Sequence, residues 1–314
     1  HAVEYSVSGD AQAVYSSAQG NEAGAEAKNG KGIGVDTDLA FSAAGELDNG
    51  WTVSINSLYN TDGTVTNSSN QMTIGMGSLG TLQFNDVLGS AANGIDDVMP
   101  KAYEEPWDGT TTTSEFNIFG SATTSGSLDY RTPSFDMMGL TLSATATYDP
   151  QAGVDAPSAG SVGGDGASGE AFTVKIAHDS GITIGGGNES VGNTDATVGQ
   201  DAATGYILYA NGPVSVGYQE FYYNAATGGA DSEGDGYAIA YTAGDISFSY
   251  SVQKETTQAI GATAALEEEE VSAIQASYTM GAMTIGASMY ETDNIEGVAS
   301  TKYEETELSV SFAF

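Results

Sequence analysis

The 314-residue chain has no cysteine, only two histidines, six prolines and seven basic residues set against 42 acidic ones. The missing cysteine excludes disulfides, thiolate metal sites and thiol nucleophiles together; it permits an oxidising compartment without demanding one. His1 and His178 are too few and too far apart for a metal triad, and no Gly-x-Ser-x-Gly elbow stands between a strand and a helix, so no enzyme activity is expected. A formal charge of −35 repels nucleic acid and anionic surfaces, which removes both as partners. No run of 18 apolar residues occurs, so no helical membrane span is present. Strands are a different matter: one that crosses a bilayer needs only about nine to eleven alternating residues. A mean hydropathy of −0.18 fits such strands, because every second residue is polar.

What the chain does have is period-two alternation from end to end. The first strand sets Val3, Tyr5, Val7, Ala11, Ala13 and Tyr15 against Glu4, Ser6, Ser8, Asp10 and Gln12; the second sets Ile33, Val35, Leu39 and Phe41 against Asp36, Asp38 and Ser42. Sixteen such segments are counted, the last ending at Phe314. Tight turns such as Asp48-Asn49-Gly50, Asp179-Ser180-Gly181 and Ala243-Gly244-Asp245 alternate with longer polar stretches at 17–32, 60–70, 88–126, 149–170, 191–204, 224–235, 255–270 and 293–302. Eight long loops and seven short turns describe an up-and-down meander with both termini at the short-turn end, and an even strand count lets it close. No linker divides the chain, so one domain over 1–314 is expected. Tyr15, Tyr59, Tyr148, Phe221, Tyr222, Tyr223 and Phe314 cluster at strand ends, as interfacial girdles would, although ordinary strand propensity gives the same cluster. The start at His1 rather than Met reads as a mature chain after signal-peptide removal; an arbitrary boundary would look the same.

Two stretches narrow the choice. The ending Leu308-Ser309-Val310-Ser311-Phe312-Ala313-Phe314 alternates strictly and stops on an aromatic, which an open soluble edge strand tolerates poorly. Leu128-Asp129-Tyr130-Arg131-Thr132-Pro133-Ser134-Phe135, followed by Gly139-Leu140-Thr141-Leu142, comes straight after the longest aperiodic stretch, and its proline must end a strand. The first resembles the last strand of outer-membrane barrels. The second is similar to the Tyr-x-[Ser/Thr]-Pro-x-Phe-x-x-x-Gly pattern of the general porins of Gram-negative bacteria, closest in style to those of alphaproteobacteria.

The resemblance implies an all-β, transmembrane antiparallel barrel of sixteen strands in the outer membrane, assembled as a homotrimer, with the long third loop, 88–126, folded into the lumen. It also implies contact with outer-membrane lipid and lipopolysaccharide, and Phe312 and Phe314 as the signal read by the barrel-assembly machinery. In that frame Asp96, Asp97, Lys101, Glu104, Glu105, Asp108 and Glu115 are the expected constriction residues, an outer solvated loop being the plainer alternative. Parity puts Glu4, Asp10, Asp36, Asp38, Asp129, Arg131, Lys175 and Glu307 on the lumen wall. The family's cluster of Arg and Lys opposite the third loop has little counterpart, since Arg131 is accompanied by only six lysines in all. Gly185-Gly186-Gly187 reads as close packing or a thin spot on the lumen side, and not as a phosphate cradle. Glu267-Glu268-Glu269-Glu270 and Glu304-Glu305 have the oxygen ligands for Ca²⁺ but no calcium-loop spacing, so diffuse counter-ions are the expectation, with no resident cofactor.

The reading that results is a passive channel for small hydrophilic solutes and ions, selective for cations. Two alternatives stay open at this level. One is a secreted acidic β-rich protein of a surface layer or adhesive kind; the other is a barrel that admits one class of substrate.

Overall fold

A computed structural model describes residues 3–21, 29–61, 63–86, 93–95, 98–106, 126–151, 167–192, 199–225, 230–258 and 266–314. The alternating segments form β1 (Glu4–Gly20), β2 (Gly30–Glu46), β3 (Thr52–Asn60), β4 (Thr66–Gly75), β5 (Thr81–Asp86), β6 (Ser127–Arg131), β7 (Phe135–Met137), β8 (Leu140–Asp149), β9 (Gly169–His178), β10 (Ile182–Val191), β11 (Gln200–Asn211), β12 (Val214–Asn224), β13 (Asp231–Ala243), β14 (Ile246–Gln258), β15 (Glu269–Met280), β16 (Met283–Asp293) and β17 (Lys302–Ala313). Every pairing is antiparallel, and each strand pairs with the next in sequence except that β6 and β7 both pair with β8. The sheet closes on itself: β1 pairs with β2 along one edge and with β17 along the other, from Asp10↔Ala313 to Gly20↔Tyr303. Gly9 and Phe314 extend that seam by exchanging backbone hydrogen bonds of 2.6 and 2.8 Å.

The seventeen segments occupy sixteen barrel positions, because β6 and β7 are two parts of the sixth, both paired with β8. Pro133 separates them. It has no N–H to give, and the last ladder contacts before it run through Thr132: its Oγ1 accepts from the Ala144 N–H at 3.0 Å, while the Thr132 N–H donates to the Ala144 carbonyl at 2.9 Å. Tyr130, from the same motif, points outward and donates its hydroxyl to the Leu79 carbonyl in the turn before β5, at 2.9 Å. The expected strand stop is therefore correct, and the strand restarts two residues later.

Strict alternation gives the barrel an apolar outside. Tyr5 (81 % exposed), Ile33 (80 %), Val35, Ile55, Met72, Phe84, Ile239 and Leu308 stand on the outer face, where a soluble protein would leave no such belt. The twelve residues of β17, at about 3.3 Å each and tilted by roughly 45°, rise about 28 Å, close to the apolar band of outer-membrane barrels. Tyr209, Tyr241, Phe248, Tyr278 and Phe312 lie outward beside the short turns, and Tyr148, Phe172 and Tyr222 beside the long loops, so two aromatic girdles are present. One expectation about them is corrected. Phe221 and Tyr223 flank Tyr222 and therefore face inward: Phe221 is buried over Gly234, and the Tyr223 hydroxyl donates to Gln200 Oε1 at 3.0 Å.

Candidate functional site

Beyond β5, residues 93–95 and 98–106 lie off the wall, in the interior. A covered loop has no ladder of its own, so its backbone groups must find side-chain partners. Inward residues of distant strands supply them. Gln219 Nε2 on β12 donates to the Ile95 carbonyl at 3.0 Å, the Ala102 N–H donates to Ser249 Oγ on β14 at 2.9 Å, and the Tyr103 N–H donates to Gln275 Oε1 on β15 at 3.2 Å. Gln275 Nε2 donates in turn to the Glu104 carbonyl at 2.6 Å, and Gln12 Nε2 on β1 donates to the Tyr103 hydroxyl at 2.9 Å. The expected inward folding of the third loop is thus seen in 93–95 and 98–106, which lie against the wall from β10 round to β1.

Missing side chains make room for it. A Cβ on Gly187 of β10 would come within 3.1 Å of Ile95 Cδ1; one on Gly217 of β12 would lie 2.8 Å from Pro100 Cδ and 3.0 Å from Met99 Sδ; one on Gly286 of β16 would lie 2.5 Å from Tyr103 Cδ2. Three inward glycines therefore seat three anchors of the loop. Gly185 plays a similar part on β10, where the Tyr206 ring from β11 lies over it. Close packing is what the triple glycine provides.

The charges fall in three groups. On the loop, Lys101 pairs with Glu105, and Glu104 turns to the wall, where the Tyr290 hydroxyl donates to its Oε2 at 3.1 Å. Near it Glu307 accepts from Ser16 Oγ at 3.0 Å. Burial pushes the Tyr103 phenol above its ordinary range, so the ring is a neutral anchor. Asp96, Asp97, Asp108 and Glu115 lie outside the described residues.

On the wall, Asp36, Asp38, Asp129, Arg131 and Lys175 all face inward, as parity predicts. Asp129 is fully buried, accepts from Thr147 Oγ1 at 2.6 Å and stands 3.5 Å from Arg131 Nη2. Asp38 is registered opposite Asp10, and Asp36 opposite Gln12 and within 2.9 Å of Asn60 Nδ2. Lys175 is exposed, with no carboxylate partner among the described residues. The inward face of the strands thus includes Glu4, Asp10, Asp36, Asp38, Glu46, Asp129, Asp149, Glu189, Glu255, Glu269, Glu305 and Glu307 against Arg131 and Lys175 among the described residues.

The outer rim holds the third group. Lys254 bridges Glu268 and Glu270 at 3.0 and 3.1 Å, and Lys302 bridges Glu291 and Asp293 at 3.4 and 2.6 Å. The acidic run 267–270 therefore divides: Glu268 and Glu270 hold Lys254, while Glu269 turns inward and accepts from the Glu296 N–H at 2.5 Å. Glu304 accepts from Gln19 Nε2 at 2.5 Å and Glu305 from the Tyr303 hydroxyl at 2.6 Å. Among the described residues no three ligating side chains converge as a metal site.

Sequence reasoning missed the docking partners Gln12, Gln219, Ser249, Gln275 and Tyr290. The available signal was long amide side chains at inward positions of strands whose inward residues are otherwise mostly small.

A closed sixteen-position barrel with an apolar belt, two girdles and a loop laid inside it defines a transmembrane channel. The family model described as Gram-negative porin matches residues 1–314, and the chain belongs to that family. It is accordingly a non-enzymatic β-barrel channel of the outer membrane. Among solved structures it is similar to a porin refined at 1.8 Å resolution (15 % identity, TM-score 0.70, covering 99 % of this chain and 100 % of that one). It is also similar to the trimer form of OmpT of Vibrio cholerae (13 %, 0.70, 100 % of both) and to an anion-selective porin from Comamonas acidovorans (11 %, 0.68, 100 % of both). No curated protein sequence matches it significantly.

Proposed function

We propose that this outer-membrane channel passes small hydrophilic solutes by diffusion and favours cations over anions. The observation that carries the sign is the inward charge balance, above all Asp10, Asp36 and Asp38 clustered on β1 and β2 with no cation opposite them in the ladder. Like-charged groups around a narrow aqueous path raise the local concentration of counter-ions. Fold alone does not choose the sign, since an anion-selective porin shares it. Here the loop's own Glu104 and Glu105 are spent on Tyr290 and Lys101, so the selectivity is assigned first to the β1 and β2 wall and to Asp96 and Asp97 as further contributors.

The test is the zero-current potential of single channels in planar bilayers across a KCl gradient near 0.1 M, where the Debye length is about 10 Å and the wall charges are not screened away. The unmodified channel should prefer K⁺, and Asp10→Asn, Asp36→Asn and Asp38→Asn together should lower that preference. Chloride preference in the unmodified protein would sink the claim.

The trimer form of the similar Vibrio cholerae protein supports a homotrimer for this chain, which should migrate in detergent gels as a heat-sensitive oligomer. Phe312 and Phe314, at the seam beside Gly9, are the proposed assembly signal, with outer-membrane lipid and lipopolysaccharide as surroundings.

A further inference from the structure

Between Gly94, Ile95 and Val98 and the wall of β8 to β11 lies a cavity of about 200 Å³ that opens to the lumen. It is smaller than the roughly 300–1,000 Å³ of drug-sized sites, so it suits a small solute. Its two sides differ in chemistry. Ser143 and Thr145 of β8 and Thr173 of β9 bring hydroxyls, and Lys175 brings a full positive charge; Ile95 and the Tyr206 ring form an apolar wall opposite.

Lys175 is what makes this more than a packing gap. Of the described cations, Lys101, Arg131, Lys254 and Lys302 are each held within ion-pair distance by a carboxylate. That is the expected state in a chain with six acidic residues for every basic one. Lys31 is unpaired at the outer rim, on the outward face where water surrounds it. Lys175 is the described cation on the lumen side with no carboxylate partner among the described residues, and it is registered between Ser143 and Gly185. An ammonium beside hydroxyl donors, facing an aromatic and an aliphatic side chain, matches a carboxylate joined to a short apolar body.

We propose that this cavity is a binding subsite for small organic monocarboxylates, with Lys175 receiving the carboxylate and Ile95 and Tyr206 the apolar part. The subsite gives a cation-favouring channel a way to retain one class of anion that the lumen field otherwise turns back. It rests on the channel reading only for access from the membrane surface.

Isothermal titration calorimetry on the detergent-solubilised, folded protein tests it with benzoate and its neutral counterpart benzamide. Benzoate should bind about tenfold more tightly than benzamide, a difference near 1.4 kcal/mol. Lys175→Gln should abolish that difference while keeping heat-modifiable migration, and Lys175→Arg should restore most of it. Equal binding of the two probes, or benzoate binding unchanged in Lys175→Gln, overturns the proposal. Bilayer conductance of the same preparations in KCl keeps the two readings apart. A conducting channel that does not discriminate benzoate removes the subsite alone, whereas benzoate binding by a protein that never conducts removes the diffusion reading and leaves the subsite standing.

Discussion

Pro133 interrupts the sixth barrel position, and the cost is contained by its neighbour. The chain bends at the proline, and there the Ala144 N–H is accepted by the Thr132 side chain, through Oγ1. Thr132→Val keeps the shape of the side chain and removes the acceptor. It should destabilise the barrel by about 1–3 kcal/mol, the usual cost of stranding a covered donor, as read by urea unfolding from lipid vesicles. Thr132→Ser should recover most of the loss. The stop itself was legible from the proline, because its chemistry is local. The restart at Phe135–Met137 was not, since three residues are too few to display a period.

The docked loop lies inside the barrel, so its position is expected to shape channel behaviour. Its position is set by absences on the opposite wall: Gly217 and Gly286 leave space where Met99, Pro100 and Tyr103 lie. Filling one seat should move the loop without dissolving the barrel, because the strand ladders on either side of Gly286 are unaffected by a side chain in the lumen. Gly286→Val is therefore expected to alter single-channel conductance and raise open-channel noise while preserving heat-modifiable migration. Tyr103→Ala should reproduce much of the same change from the other partner. Conductance and noise identical to the unmodified channel in both variants would show that this contact does not hold the loop. That the loop folds inward followed from the resemblance of residues 128–142 to porins. Where on the wall it is seated did not follow, because a glycine in a strand looks the same in sequence whether it faces lipid, a neighbour or an anchor across the barrel. The same limit explains Glu104 and Glu105, whose charges read from sequence as free to line the pore and are engaged by Tyr290 and Lys101.

For the whole molecule, alternation decided nearly everything that was legible. Period two fixes which residues meet lipid and which meet water, so Asp36, Asp38, Asp129, Arg131 and Lys175 could be placed inward residue by residue. It fixes no distances across the lumen, and the unpaired state of Lys175 emerges only when the closed wall brings its surroundings together. The outward belt carries its own test. Ile239 stands on the lipid side of β13, opposite Val216 and Tyr250 of the flanking strands. Ile239→Arg should cost about 2–4 kcal/mol if that site lies near the bilayer midplane, measured by reversible folding into vesicles, whereas a change at an exposed lumen position such as Ser8→Arg should cost far less. Similar costs at the two positions would contradict the assignment of faces.

The seam between β1 and β17 has a consequence for how the molecule comes into being. Asp10 and Ala313 are ladder partners although nearly the whole chain lies between them. Every other pairing joins consecutive barrel positions and can form as soon as the second of them exists; this one must wait for the last strand. Until then the sheet is a ribbon with two unsatisfied margins, the state most prone to pairing with the wrong chain. Closure is thus a single late event, and the first strand, made earliest, is the last to find both of its neighbours.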